Sequence, residues 1–193
     1  MGNQTSFQIF VESRRKKVET IEKAHTNCRI IDLTSKATEP WVKFSPFYPH
    51  GDIPVPFSAP LTAQSVEGIW QGLKVFETAV IDPTKFDITA MKGLKRTVRR
   101  FGPVLGHQKG INSETLLDYL TARQQIYLPS YQWVLQNRLQ NELIKLKKIA
   151  ESHTLVFLDY ETNEDILDLK RPLSHAGLVK KYLIHDTILP TIK

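Results

Sequence analysis

Six of the eleven prolines fall within residues 39–60, EPWVKFSPFYPHGDIPVPFSAP, together with Trp41, Phe44, Phe47, Tyr48 and Phe57. Each proline fixes φ and removes a backbone donor, so no continuous helix or central strand can run through this stretch. The aromatics are too many for a solvated linker, and a loop longer than about 15 residues in a compact domain is usually functional or disordered. The segment therefore reads as an irregular, extended wall packed by its own rings. Any fold for this chain has to accommodate it.

Directly after the wall, residues 64–77 (QSVEGIWQGLKVFE) have helical periodicity, with Ser65 as N-cap. At about 100° per residue, Glu67, Gln71 and Lys74 share one polar stripe, while Val66, Ile69, Leu73 and Phe76 form the apolar side. Gly68 and Gly72 border the stripe on one flank and Trp70 on the other. A glycine inside a helix costs roughly 0.5–1 kcal/mol relative to alanine, so two of them four apart point to close approach by a flat ligand or by another backbone. The same stripe also suits a packed helix whose Glu67 and Lys74 are solvated or salt-bridged.

A chain of 193 residues is long enough for one substantial core, which predicts a single domain over residues 1–193. Residues 6–24 read as a helix carrying the basic run Arg14–Lys17, whose simplest account is a solvated face, followed by a β-leaning CRIIDLTS. Residues 86–101 read as a second basic helix closed by Gly102-Pro103, and the turn-rich GPVLGHQKG follows. Residues 113–124 read as a helix capped by Ser113 and broken at Tyr127-Leu128-Pro129. Residues 130–151 read as one long helix with Trp133, Leu139, Leu143, Leu146 and Ile149 inward. TLVFLDY at 154–160 is the best strand, ending in Asp159, an acid that either points into a site or caps a neighbouring turn. A short helix capped by Ser174 closes the chain. The expected fold class is mainly α, a compact helical fold with a few short strands.

No segment approaches the roughly 20 apolar residues of a membrane helix. Residues 1–17 lack a signal-peptide pattern, although Met1-Gly2 with Ser6 fits the loose N-myristoylation template. Cys28 stands alone, which excludes an intrachain disulfide and suits a reducing cytoplasm. The net charge is +6, and six positive charges with no acid lie between Lys92 and Lys109, favouring an anionic partner. There is no GxxxxGK[ST], GxGxxG, HExxH or GxSxG motif, and the six histidines are scattered singly. No metal and no cofactor are expected.

The wall, the polar stripe and the basic segment together suggest a pocket for a nucleotide-like ligand, with rings to stack on a base and cations for phosphates. Glu67 suits a general acid or base, and Lys74, if desolvated, an amine nucleophile toward a sugar aldehyde carbon. Burial raises a carboxyl pKa and lowers an amine pKa, whereas pairing the two opposes both shifts, and the residues alone leave the choice open.

The order Phe44-Ser45-Pro46-Phe47-Tyr48-Pro49, then Ser65-Val66-Glu67-Gly68-Ile69-Trp70-Gln71-Gly72-Leu73-Lys74, resembles the NADAR superfamily of N-glycosidases acting on riboflavin intermediates and ADP-ribose compounds. That family has an LSNFYP-like segment followed by a helix of the form [ST]-V-E-H-x-[FY]-Q-A-x-K. Glu67, Gln71 and Lys74 match its spacing, Trp70 takes its aromatic position, and Gly68 stands where it has His. The resemblance covers residues 44–76 and implies a compact, mainly helical fold. It also implies cleavage of an N-ribosyl bond in a phosphorylated nucleotide-like small molecule or ADP-ribosylated nucleic acid, with Glu67 and Lys74 catalytic. Phe47, Tyr48, Trp70, Gln71, Arg96, Arg99 and Asp159 are the expected substrate contacts. The alternative is a non-catalytic basic protein binding nucleic acid or a nucleotide through residues 92–109.

Overall fold

A computed structural model describes residues 7–189. In chain order the first elements are β1 (Ile9–Ser13), α1 (Val18–Ala24), β2 (Cys28–Asp32), a 3-10 turn at Trp41–Phe44, β3 (Ile53–Pro54) and β4 (Thr62–Ala63). Then come α2 (Val66–Gly72), β5 (Lys74–Phe76), a 3-10 turn at Pro83–Asp87, α3 (Val98–Phe101), β6 (Val104–Gln108) and β7 (Leu116–Leu117). The chain ends with α4 (Tyr119–Ala122), a π-helical turn at Arg123–Tyr127, α5 (Leu128–Asn137), α6 (Gln140–Ala150), β8 (Thr154–Asp159) and α7 (His175–His185). These elements pack as two compact units, one built from the described residues up to Ser45 and from Leu139–Ile188, the other from Pro46–Arg138 together with Leu189. The expected mainly helical fold class is incorrect: the strands form three small sheets, and the chain is an α+β mixture. Among the described residues no helix is long and apolar enough to cross a membrane. The Met1-Gly2 myristoylation template lies outside the described residues.

The first unit is organised on β8. Its strands run in the order β1-β8-β2, all parallel, with Phe10 and Ile30 both in register with Val156. A central parallel strand is covered on both faces, which demands an unbroken apolar run. Leu155, Val156 and Phe157 are fully buried, as TLVFLDY requires. The helix expected over 6–24 gives way to β1 followed by the short α1. Ile9, Phe10 and Val11 are β-forming residues, and pairing with β8 overrides the helical reading of the polar residues around them. In α7, Ser174 caps as expected, its Oγ accepting from Gly177 N at 3.1 Å.

The second unit holds the antiparallel pair β3-β4 and the antiparallel sheet β5-β6-β7. Part of the proline-rich wall belongs here, with Ile53 and Val55 in the core but Phe57 half-exposed. Three expected helices are revised. Residues 86–101 keep only α3, because Gly93 takes φ +76° and Leu94 is buried from irregular chain. The helix placed at 113–124 begins instead at Tyr119, since Leu116–Leu117 pairs with β6 and Asp118 caps, accepting from Thr121 N at 2.8 Å. Pro129 does not break it: Leu128 N–H donates to Arg123 O, five residues back, and this wide π turn admits proline into the first turn of α5. The long helix 130–151 is broken at Arg138–Leu139, which is also where one unit ends and the other resumes.

Candidate functional site

The site is built on α2, which lies entirely in the core of the second unit. Ser65 adopts extended φ/ψ and its Oγ accepts from Gly68 N at 3.0 Å, fixing the first turn. Two residues after Ser65, Glu67 N donates to Pro46 O at 2.9 Å, which ties the Phe47-Tyr48 segment to the same turn. Glu67 and Gln71, four apart on one face, are joined by Gln71 Nε2 donating to Glu67 Oε1 at 2.8 Å. This is the polar stripe expected from the spacing, and it is buried rather than solvated.

Lys74 reaches the stripe from a different direction. The helix ends at Gly72, and Lys74 opens β5, pairing across to His107 on β6. Val75 and Phe76 favour the strand, and the sheet replaces the last helical turn expected at 73–77. Lys74 Nζ nevertheless stands 3.4 Å from Gln71 Oε1 and 5.8 Å from the centre of the Trp70 ring. Burial holds its amine below the usual lysine range; the Glu67 carboxylate pulls it back up, and the nearby Arg96 and Lys95 charges push it further down.

Gln71 Oε1 also accepts from Arg96 N at 2.9 Å, so one amide connects α2, β5 and the basic segment. The Arg96 side chain donates to the carbonyls of Gln71 at 3.2 Å, Lys74 at 2.6 Å and Val80 at 2.6 Å, and its guanidinium lies over Phe76 and Phe101. It floors an open cleft of about 590 Å³ lined by residues 76–82 and Phe101. Through these three main-chain bonds Arg96 braces the β5 turn.

The glycines are explained by packing. A Cβ on Gly68 would come within 2.7 Å of Lys85 O, and one on Gly72 would strike the Phe86 ring. The close approach inferred from the sequence is therefore made by the 3-10 turn at Pro83–Asp87, not by a ligand, and Gly68 leaves no pocket.

Other expected contacts divide. Phe47 is half-buried with Lys95 Nζ 5.5 Å above its ring, and Tyr48 packs against His50 at 4.8 Å. Arg99 sits exposed on α3. Asp159 belongs to the other unit and acts there as an anchor. Its Oδ2 accepts from Ser174 Oγ at 2.8 Å and Ala176 N at 3.3 Å and pairs with His175 Nδ1 at 3.0 Å. Burial disfavours its charge, yet these contacts hold the carboxyl down at about 2. Through these contacts Asp159 anchors the first turn of α7.

Three residues escaped the sequence reading. His107 is fully buried, its ring stacked on Trp70 with centroids 3.7 Å apart, and Tyr119 and Tyr127 meet Trp70 edge-on at 5.7 Å each. Burial, and after it the Lys74 charge, lower the His107 imidazole to about 3, so it is neutral. Neither of its ring nitrogens has a partner among the described residues. No sequence signal marks His107, which lies in a segment that reads as turns and is placed only by the β5–β6 pairing. No cluster of three or more His, Cys, Asp or Glu suited to a metal occurs among the described residues.

A family model described as a family of unknown function (DUF6939) matches residues 13–179. No curated protein and no solved structure matches the chain.

Proposed function

The chain belongs to DUF6939, a family of unknown function, and from the geometry around α2 we propose that it is an N-glycosidase-like hydrolase. It cleaves an N-ribosyl bond of a phosphorylated nucleotide-like or ADP-ribosylated compound. The observation that carries this reading is the setting of Lys74: a half-buried amine, depressed below the usual lysine range, that shares the Gln71 amide with Glu67. The NADAR-like spacing of Glu67, Gln71 and Lys74 supports the same assignment.

The free amine of Lys74 attacks ribose C1, and the C1–N bond breaks with its electron pair leaving on the base, which takes a proton from Glu67. The C1–O bond of the sugar ring then opens, one proton of the lysine nitrogen passing to the ring oxygen, which leaves a protonated Schiff base between Lys74 and C1. Water adds across this C=N bond and gives one proton back to Glu67, and collapse of the carbinolamine breaks the C1–Lys74 bond, releasing the free amine and the ribosyl aldehyde. Trp70, with Phe47 and Tyr48 near the start of α2, supplies rings for stacking. The half-buried lone thiol of Cys28 suits a cytoplasmic setting.

Glu67→Gln and Lys74→Ala should each abolish release of the base while leaving the thermal melt close to wild type. Borohydride should trap ribose 5-phosphate or ADP-ribose on Lys74. Hydrolysis of ADP-ribosyl and ribosylamine substrates at the wild-type rate by both variants would overturn the mechanism.

A second reading has its own observation. Lys92, Lys95, Arg99, Arg100 and Lys109 are not ion-paired among the described residues, and four of them cluster around the exposed α3. Such a surface suits nucleic acid, whose binding would weaken steeply with salt through counterion release. Reversing the charge at Arg99 and Arg100 should then remove binding, and unchanged binding would sink this alternative.

A further inference from the structure

β5 and β6 run antiparallel with Lys74 directly opposite His107. Side chains so paired leave the same face of the sheet with Cβ atoms about 5 Å apart. The His107 ring is clamped against Trp70, out of contact with solvent, and both of its nitrogens lack a partner among the described residues. A buried donor or acceptor left unsatisfied is destabilising. A phenyl ring in the same stack would avoid that cost but could neither donate nor accept, and this hydrogen-bonding capacity is what the imidazole brings to the position.

The neighbours of Lys74 indicate what that is. From α2 come two acceptors, the Glu67 carboxylate and Gln71 Oε1. The segment before α3 contributes the positive charges of Lys95 and Arg96, and the rings of Trp70 and Phe76 lie about 6 Å from Nζ. An ammonium group has three donors and no lone pair, so the two acceptors serve it well. A free amine needs a donor for its lone pair. Gln71 Nε2 already donates to Glu67, and Arg96 donates to three carbonyls. His107, neutral and opposite Lys74, holds an N–H with no acceptor.

We propose that His107 is a positioning residue for Lys74, donating its ring N–H to the free amine and so favouring the nucleophilic form over the ammonium. The proposal rests on Lys74 being the nucleophile. A hydrogen bond made only to the uncharged form of a base favours that form. With neither nitrogen engaged the tautomer is not fixed by another partner, and the tautomer that turns its N–H toward Lys74 has nothing to donate to while the amine is protonated.

The test measures the amine itself. The full chain is reductively methylated with formaldehyde and cyanoborohydride from about pH 6 to about pH 10, and the extent at Lys74 is read by peptide mass spectrometry. His107→Phe should move the half-point of Lys74 labelling up by about one pH unit, roughly a tenfold loss of reactivity at neutral pH. His107→Asn, which restores an N–H donor, should return most of that shift. A wild-type half-point in a folded His107→Phe protein overturns the proposal, and so do equal shifts in the Phe and Asn variants, which would make the effect one of packing. If the Phe variant does not fold, the His107 imidazole resonances decide. They should respond across the Lys74 half-point in wild type and not in Lys74→Met, and the absence of any response in wild type overturns it. Methylation needs no substrate, so the amine can pass this test with no N-glycosidase activity present, and the two readings fail separately.

Discussion

Arg96 brings a charge into the core and gives its hydrogen bonds to main-chain carbonyls. Burial lowers its basicity and Asp82 partly restores it, yet guanidinium stays charged throughout the accessible pH range. Lysine has one nitrogen where arginine spreads its donors over a planar fork, and it cannot reach the carbonyls of Gln71, Lys74 and Val80 together. Arg96→Lys should therefore destabilise the protein by about 2–4 kcal/mol in urea unfolding, although the formal charge is unchanged. A loss below about 0.5 kcal/mol would show that the carbonyls find other partners. Ser65 makes a smaller claim. Its cap on Gly68 N is a neutral contact, and Ser65→Ala should cost about 1 kcal/mol in the same measurement.

At the scale of elements, the contact between α2 and the 3-10 turn at Pro83–Asp87 requires a surface without side chains. Gly72→Ala should be destabilising by about 1–3 kcal/mol because the new methyl meets the Phe86 ring. Gly72→Ala combined with Phe86→Leu should recover part of that loss, and a double variant no better than the sum of the singles would contradict the contact. How far each element is legible in the sequence follows from whether local or distant forces decide it. Ser65 and Ser174 act within one turn, and the unbroken apolar run of β8 states its own burial, so all three can be read directly. The Glu67–Gln71 pair is equally local. β1, by contrast, becomes a strand only because β8 lies beside it, and the helical spacing of the basic residues at 92–100 is overridden where Gly93 takes positive φ and Leu94 and Arg96 are buried from irregular chain. Pro129 is a helix breaker by rule, and only the π turn before it changes that outcome. His107 is invisible for the same kind of reason, since nothing within residues 104–108 announces that β6 will pair with Lys74.

At the scale of the molecule, acid and base act on one buried pair in the first unit. His175 donates to two acceptors, the Asp159 carboxylate and Leu33 O, which requires the imidazolium form. Burial opposes that charge, but Asp159 outweighs it and raises the imidazole above 6.5. A raised His contributes fully below its ordinary value and loses its contribution as pH climbs through the folded value. A depressed Asp contributes fully above 3.8 and loses its contribution as pH falls toward about 2. Thermal stability should thus be greatest between about pH 4 and pH 6.5, with Asp159→Asn flattening both limbs of the melting-temperature profile. An unaltered profile in that variant would place the pH dependence elsewhere.

The order β1-β8-β2 also has a consequence for how the chain is made. Pro46–Arg138, the bulk of the second unit, is continuous in sequence and is made between the two stretches that build the first unit. β1 and β2 are made before Pro46–Arg138, but they do not pair with each other; each pairs with β8, which begins at Thr154. Until then two apolar strands wait with open edges on either side of a missing centre. The sheet of the first unit is therefore the part most exposed to misassembly during translation, and the strand that relieves the risk is made only after the whole of Pro46–Arg138.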